Sequence, residues 1–165
     1  MTNFLIPDYM IRLFDADKDS PAIAAIVGEI WHGGVDALME ERFGIIGSRP
    51  WGHWTAQSVL NDLVANEARS FVVETKSRVV GFISYLIDLE QSLGTVGYNG
   101  VAPEHQGKGI GSAMLEFVLS KFKAAGVKYS AVIVADNEQH DPARHNYEKH
   151  GFRPLLGLHY MVQKL

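Results

Sequence analysis

The sequence predicts an α+β protein with one domain that covers residues 1–165. Three observations indicate this class. Apolar residues at helical spacing form several segments, three predicted strands follow one another without a helix between them, and one long helix separates the third of these strands from the next. We expect the three consecutive strands to be antiparallel and the long helix to make one parallel crossover.

The composition is typical of a globular protein with a hydrophobic core. Apolar residues make up 47% and charged residues 21% of the 165 residues, a balance that excludes disorder for most of the chain. The formal net charge of -4 argues against a general nucleic-acid binder, because no basic stripe offsets it. It is compatible with a cationic small substrate.

The absence of cysteine limits the chemistry that the chain can perform. It excludes disulfides, thiolate metal sites and a cysteine nucleophile. Residues 1–14 lack a basic start followed by an apolar run, so they do not read as a signal peptide. No stretch approaches the roughly 18 apolar residues needed to span a bilayer. We therefore expect a cytoplasmic protein with no membrane partner.

The first half of the chain should contain one strand and mainly helices. Residues 9–14 read as a strand. Ser20 followed by Pro21 is a helix-start signal, with an N-cap residue and then proline at the first helical position. That helix should end at Gly33-Gly34, and its apolar stripe consists of Ile23, Ile26, Val27, Ile30 and Trp31. Residues 35–54 combine a short helical piece with a loop rich in glycine and proline, and residues 56–64 form another helix.

The second half should contain most of the sheet. Residues 70–74 and 79–89 are predicted strands joined by a hairpin at Lys76-Ser77, and residues 97–101 form the third strand. The long helix begins after a glycine-rich turn and ends at Gly126. Three elements complete the chain: a strand at 130–135, a short helix from Asp141-Pro142 to Gly151, and a last strand at 158–162.

The glycine-rich turn at residues 107–112 is a candidate anion site. It lies between a predicted strand and a helix N-terminus, where unpaired N–H groups and a partial positive charge meet. Glycines allow a phosphate to approach the backbone closely. The spacing G-x-G-x-G differs from the dinucleotide fingerprint, and Ala102 and Gly109 stand where a P-loop needs glycine and Ser or Thr. A tight turn without a ligand is the alternative interpretation.

Two motifs resemble those of the GNAT superfamily of N-acetyltransferases. Residues 106–111 resemble its Q/R-x-x-G-x-G/A signature, and residues 143–152 resemble its A-x-x-x-Y-E-x-x-G-F helix. The order of the predicted elements matches the family from about Tyr9 to the C-terminus. The resemblance implies the GNAT fold: a mixed, mostly antiparallel sheet of about six to seven strands, with splayed central strands, flanked by about four helices.

The resemblance also implies an acetyl-coenzyme A site without a metal. Backbone amides of the turn would hold the pyrophosphate, and residues 98–101 would pair with the pantetheine arm at a bulge, for which Gly100 is suited. Many relatives carry asparagine at the position of His140, while here Asn137 lies three residues earlier, so both are candidates. The full implied set is Asn99, Gly100, Val101, Gln106, Gly107, Lys108, Gly109, Ile110, Gly111, Ser112, Asn137, His140, Arg144, Asn146 and Tyr147.

The implied activity is transfer of an acetyl group from acetyl-coenzyme A to a primary amine of a small acceptor. Because the chain has no cysteine, direct attack in a ternary complex is the default mechanism. By resemblance, the amide of Asn99 or its neighbour stabilises the oxyanion, and Tyr147 is the acid for the departing thiolate. A non-catalytic acyl-coenzyme A-binding module and a protein N-terminal or lysine acetyltransferase are the alternatives.

Other side chains allow weaker predictions. The general base is not identified, because Thr95 stands at the strand position where some relatives carry glutamate. The candidates are residues that would act through a chain of water molecules: Asp88, Glu90, His53 and Glu29. One side chain of the aromatic cluster and its polar neighbours is expected to line the acceptor pocket, with a place in the core or at the surface as the alternative; the members are Trp31, Phe43, Trp51, Trp54, His32, Glu40, Glu41, Arg42 and His53. His140, His145 and His150 are spaced by five residues, which does not suit a zinc site. A homodimer is the commonest assembly on general grounds.

Overall fold

A five-stranded mixed sheet is the centre of the computed structural model, which describes residues 6–163. The strand order follows the chain, and every neighbouring pair is antiparallel except the last, which is parallel. The strands are β1 (Met10–Leu13), β2 (Ser70–Thr75), β3 (Arg78–Asp88), β4 (Leu93–Val101) and β5 (Tyr129–Val132). The predicted antiparallel trio and the single parallel crossover are therefore confirmed.

Helices cover both faces of this sheet. They are α1 (Ala16–Ile30), α2 (Val35–Phe43), α3 (Trp51–Ala65), α4 (Ile110–Ala124) and α5 (Asp141–Lys149). The apolar residues of α1 and α3 pack with Val72 and Phe82 on one face. Those of α4 and α5 pack with Val73 and Ile83 on the other face. Because side chains alternate along a strand, neighbouring residues of β2 and β3 supply the two separate cores.

The start of the first helix differs from the prediction. α1 begins at Ala16, and the Asp15 carboxylate caps it by accepting a 3.3 Å hydrogen bond from the backbone N–H of Lys18. Ser20 lies inside the helix, where its hydroxyl donates a 2.6 Å bond to the carbonyl of Ala16, and Pro21 follows in the second turn. Two capping signals compete in this segment, and the earlier one begins the helix.

The sheet has fewer strands than predicted within the described residues. Residues 158–162 form no strand, and β5 ends at Val132 rather than at residue 135. Leu158 is 72% exposed, so this apolar segment does not face the core. A strand forms only where a neighbour supplies its hydrogen bonds, and no described segment pairs with the outer edge of β5. The described chain thus has five strands and five α-helices, rather than six to seven and about four.

Two turns follow the predicted local chemistry. Lys76 and Ser77 have φ values of 47° and 61°, the positive values that a two-residue hairpin requires. Gly151 follows α5 with φ 93°, a left-handed position that glycine adopts without steric cost.

A buried ion pair connects the first strand, the first helix and the second strand. Asp19 is fully buried and accepts bonds of 2.7 and 2.8 Å from the guanidinium of Arg12, which also reaches Glu74 at 2.7 Å. Burial alone would raise the pKa of Asp19, but the Arg12 hydrogen bonds and the Asp15 N–H hold that pKa below its ordinary value. This network positions α1 against the edge of the sheet.

Candidate active site

The two parallel strands separate halfway along β4. The ladder between β4 and β5 covers four residue pairs and ends at Val96↔Val132. β4 then continues for residues 97–101, and within the described chain nothing pairs with it on the β5 side. This leaves an open strand edge inside the sheet, where an extended ligand can form backbone hydrogen bonds.

A β-bulge lies where this open edge begins. Ile83 pairs with Asn99 and Tyr85 pairs with Val96, so Gly97 and Tyr98 together oppose the single residue Ser84. The expectation that Gly100 marks the bulge is wrong, because Gly100 pairs in register with Phe82. A side chain at Gly100 would collide with Ile30 and Phe82, so this glycine instead allows close packing of α1.

The side chains of Asn99 and Tyr147 meet on the α5 side of the open edge. The Asn99 amide donates a 2.9 Å hydrogen bond to the Tyr147 hydroxyl and a 3.1 Å bond to the carbonyl of Gly97. Tyr147 is 6% exposed, and its ring packs edge-on against Phe152. Burial raises the pKa of Tyr147 and outweighs the opposing Asn99 hydrogen bond, so the hydroxyl is protonated at neutral pH.

The glycine-rich turn leaves the N-terminus of α4 uncapped. Gly107 and Gly109 have φ values of 72° and 83°, and Gly109 is the N-cap residue without any side-chain capping bond. The first N–H groups of a helix have no partner within it, so those of α4 point towards the space before the helix. Two side chains near the turn bond to the backbone that precedes it: Gln106 donates to the carbonyl of Val101 at 3.0 Å, and Lys108 donates to that of Glu104 at 2.8 Å.

A side-chain bond joins the first turn of α4 to α5. The Ser112 hydroxyl donates a 2.7 Å hydrogen bond to the Asn146 side-chain carbonyl. Asn146 directly precedes Tyr147, so this bond fixes the helix that carries the buried hydroxyl against the uncapped helix N-terminus. The two motifs that are 30 or more residues apart in the sequence therefore form one site.

The segment before α5 is held by its own polar groups. Asn137 caps a short 3-10 turn, accepts from the backbone N–H of His140 at 3.1 Å and donates to the carbonyl of Gly33 at 3.2 Å. Burial lowers the pKa of His140, and its ring contacts the Asn137 carbonyl oxygen at 2.6 Å. Arg144 pairs with Asp136 and Asp141. Contact of these three side chains with coenzyme A stays a prediction.

The structure separates two of the named base candidates, Asp88 and Glu90, from the bulge. Asp88 accepts a 2.8 Å bond from the N–H of Gln91 in the β3–β4 turn, which lies at the other end of β4, and Glu90 belongs to the same turn. The ring of His53 packs on Trp54, and Glu29 is exposed on α1. Thr95 lies on β4 beside Ala131, before the bulge.

A different carboxylate lies next to the bulge. The Ser84 hydroxyl donates a 2.9 Å bond to Asp62 of α3, and Tyr98 packs against Trp31 with ring centres 5.6 Å apart. Burial, and then the charges of Asp62 and Asp36, raise the pKa of Tyr98. Sequence reasoning missed this group, although Asp62 follows Val59 by three residues on the apolar face of α3 and is therefore an inward-facing charge.

A pocket of about 320 Å³ lies between α2 and α3. Its wall includes Trp51, Trp54 and Tyr160 together with Asp36, Glu40 and Arg49. Of the other predicted aromatic residues, Trp31 packs on Phe82 and Tyr98, and Phe43 lies under the guanidinium of Arg42.

Metal ligation and membrane spanning can both be judged from residues 6–163. No group of three His, Asp or Glu side chains in this range is placed to hold a metal ion. No single helix in it has the length and apolar character to span a membrane, although α1 and α2 pass that test when joined as a bent pair.

Comparison with solved structures identifies the fold. The chain superimposes on the PaiA N-acetyltransferase from Thermoplasma acidophilum in complex with coenzyme A, with a TM-score of 0.66, 19% identity and coverage of 89% of this chain and 91% of that chain. YncA, a putative acetyltransferase from Salmonella typhimurium solved with acetyl-CoA, gives a TM-score of 0.62 and 19% identity, covering 89% and 80%. AAC(6')-Iy in complex with a bisubstrate analogue, CoA-S-monomethyl-acetylneamine, gives a TM-score of 0.61 and 11% identity, covering 96% and 100%.

Sequence comparisons complete the assignment. No curated protein matches the chain by sequence. The model of the acetyltransferase (GNAT) family matches residues 31–152, which include the bulge, the glycine-rich turn and Tyr147. The chain therefore belongs to the GNAT acetyltransferase family.

Proposed function

We propose that this protein transfers the acetyl group of acetyl-coenzyme A to a primary amine of a small acceptor, by direct attack in a ternary complex. The observation that carries the proposal is the pair of Asn99 and Tyr147 at the open edge of β4, with the hydroxyl buried and 2.9 Å from the amide. A protonated hydroxyl beside a strand edge that can hold a thioester is suited to protonate a departing thiolate.

Acetyl-coenzyme A would lie across the open edge. The uncapped amides of residues 107–112 offer hydrogen-bond donors and the positive end of α4 to a pyrophosphate. On the β5 side, residues 97–101 of β4 offer the amides of the pantetheine arm backbone groups with which no described strand pairs, and of these the carbonyls of Gly97 and Val101 also accept side-chain bonds. Two of the similar structures hold coenzyme A or acetyl-CoA, which supports this choice of co-substrate.

The transfer needs one bond to form and one to break. The lone pair of the neutral amine attacks the thioester carbonyl carbon, and the oxyanion accepts a hydrogen bond from a backbone N–H at Asn99 or its neighbour. The carbon–sulfur bond then breaks, the thiolate takes the Tyr147 proton, and the amine nitrogen releases its proton to water. The Asn99 amide stabilises the phenolate, which regains a proton from solvent.

The acceptor is proposed to be an amine because of the chemistry at the bulge. Asp62 and Asp36 place negative charge near Tyr98, and this attracts an ammonium group before it loses its proton. AAC(6')-Iy, whose fold is similar, was solved with an analogue that joins coenzyme A to an acetylated amine.

The test is release of free thiol from acetyl-coenzyme A over a panel of small amines, with the acetylated product identified by mass. We expect release that depends on the amine and saturates with it. Binding of acetyl-coenzyme A without thiol release from any small amine, peptide N-terminus or lysine peptide would instead identify a binding module. Release with peptides alone would identify a protein acetyltransferase.

A further inference from the structure

The pocket between α2 and α3 combines aromatic rings with half-buried carboxylates. Its wall contains the rings of Trp51, Trp54 and Tyr160 and the carboxylates of Asp36 and Glu40. Its volume of about 320 Å³ is at the lower end of the range found for small-molecule sites. Tryptophan and tyrosine faces attract ammonium groups, and a nearby carboxylate adds to that attraction.

The polar groups of this pocket are not equivalent. Glu40 accepts a 2.5 Å bond from the backbone N–H of Trp51, so its charge is already held at the N-terminus of α3. Asp36 accepts a 2.7 Å bond from the hydroxyl of Thr55 through one carboxylate oxygen. Among residues 6–163 the other oxygen accepts no side-chain bond, and no Lys or Arg forms an ion pair with Asp36. Asp36 is therefore the carboxylate available to a ligand.

Arg49 also lines the pocket and reduces its negative charge. With Asp36 and Glu40 at -1 each and Arg49 at +1, the pocket has a net charge of -1. The backbone carbonyl of Arg49 accepts a 2.9 Å bond from the indole of Trp54, which fixes the loop. The Arg49 side chain itself is exposed, so water screens its charge, whereas Asp36 is half-buried.

Two adjacent residues, Trp31 and His32, connect the pocket to the bulge of β4. Tyr98 at the bulge packs on Trp31. The residue that follows Trp31 in the chain, His32, packs on Trp51 of the pocket wall with ring centres 5.3 Å apart. Asp36 lines the pocket, and its charge also acts on Tyr98. Trp31 therefore contacts the proposed site of transfer, and the next residue in the chain contacts the pocket wall.

We propose that the acceptor carries two positive charges, and that the amine which does not react is held in this pocket by Asp36 between the rings of Trp54 and Tyr160. This inference rests on the proposed function. It specifies the acceptor as a diamine or a longer polyamine whose second nitrogen lies several atoms from the first. The reacting amine would lie at the bulge, beside Asn99 and Tyr147.

The first test compares α,ω-diamines of increasing length with monoamines of the same length. We expect diamines above a minimum length to have at least about tenfold lower KM than the matched monoamines, since a charge-assisted hydrogen bond is gained. Asp36→Asn should remove most of that preference, because it raises the KM of the diamines more than it raises the KM of the monoamines. Glu67→Gln is the control, because it removes one negative charge from an exposed position beyond the other end of α3. Equal KM for diamines and monoamines in the wild-type protein would overturn the proposal.

A binding measurement separates this proposal from the proposed function. The protein saturated with coenzyme A is titrated with 1,6-diaminohexane or with hexylamine, and the indole N–H resonances of Trp51 and Trp54 are followed by NMR. We expect the diamine to shift both resonances and Asp36→Asn to abolish the shift. If no amine is acetylated but the diamine still shifts the two indole resonances, the diamine site is supported and the proposed acetyl transfer is wrong. If amines are acetylated but neither resonance moves with the diamine, the pocket proposal fails alone.

Discussion

The side-chain amide of Asn99 donates a 2.9 Å hydrogen bond to the hydroxyl of Tyr147, which connects β4 to α5 across the open edge of the sheet. The Tyr147 hydroxyl in turn donates a longer bond of 3.3 Å to the Asn99 side-chain oxygen, and the amide can stabilise the phenolate that results once this proton is transferred. Each half of the site is thereby oriented by the other.

Tyr147→Phe tests whether that hydroxyl takes part in the reaction. The ring and its packing remain, so we expect transfer to slow by about 10²- to 10⁴-fold, the usual range for general acid catalysis, with little change in acetyl-coenzyme A affinity. Tyr85→Phe is the matched control, because Tyr85 is also buried but lies elsewhere on the same face of the sheet. A fully active Tyr147→Phe protein would make this residue a packing residue, and lost affinity would make it a coenzyme ligand.

Gly109→Asp tests the position of the pyrophosphate. The substitution places a negative charge at the uncapped start of α4, and we expect calorimetry to show no detectable acetyl-coenzyme A binding. The position has φ 83°, so backbone strain of about 1–2 kcal/mol accompanies the change. Gly126→Asp carries similar strain, with φ 74° at the other end of α4, and should bind normally. Equal affinity in both variants would place the pyrophosphate elsewhere.

Asp15→Ala tests where α1 begins. Because the Asp15 side chain caps this helix, its removal should lower the free energy of unfolding by about 1 kcal/mol, measured by urea denaturation. Ser20→Ala should cost much less, since Ser20 lies inside the helix and bonds only to the carbonyl of Ala16. The reverse order would restore Ser20 as the cap.

Asp19 should make stability depend on pH in the acid range. Its pKa in the folded protein lies below the ordinary value of about 3.9, so its stabilising contribution is complete above that value. It is lost as the pH falls further, through the folded-state pKa. Asp19→Asn should therefore lower stability at pH 6 by about 1–3 kcal/mol and flatten the decline below pH 4, as measured by urea midpoints. The exposed control Asp17→Asn should keep the wild-type profile.

The sequence predicted the elements well where local chemistry decides them. The hairpin at Lys76-Ser77 and the left-handed Gly151 follow from turn preferences of single residues. Residues 158–162 were wrongly predicted as a strand, because apolar residues in a β-like pattern form one only when a neighbouring edge pairs with them. Asp15 and Ser20 are both good caps, and the choice between them depends on how α1 packs against the sheet.

The site was predictable in its motifs but not in its contacts. Residues 106–111 and Tyr147 are indicated by their patterns, and the structure places both at the open edge of β4. The bulge lies at Gly97 and Tyr98 because of the register with β3, which residue types along one strand do not reveal. The bond from Ser84 to Asp62 joins a strand to a helix 22 residues earlier, so it arises only from tertiary packing.

The short ladder between β4 and β5 also governs how firmly the two halves of the sheet hold together. Only four of the nine residues of β4 pair with β5, so the seam between these strands is less than half closed in the free protein. A ligand lying along residues 97–101 extends that seam and acts as an added strand. Such a ligand binds only the folded chain, and at 100 times its dissociation constant it stabilises the protein by about 2.7 kcal/mol. The melting temperature should therefore rise with acetyl-coenzyme A concentration. The protection of the β5 amide protons from hydrogen exchange should rise with it.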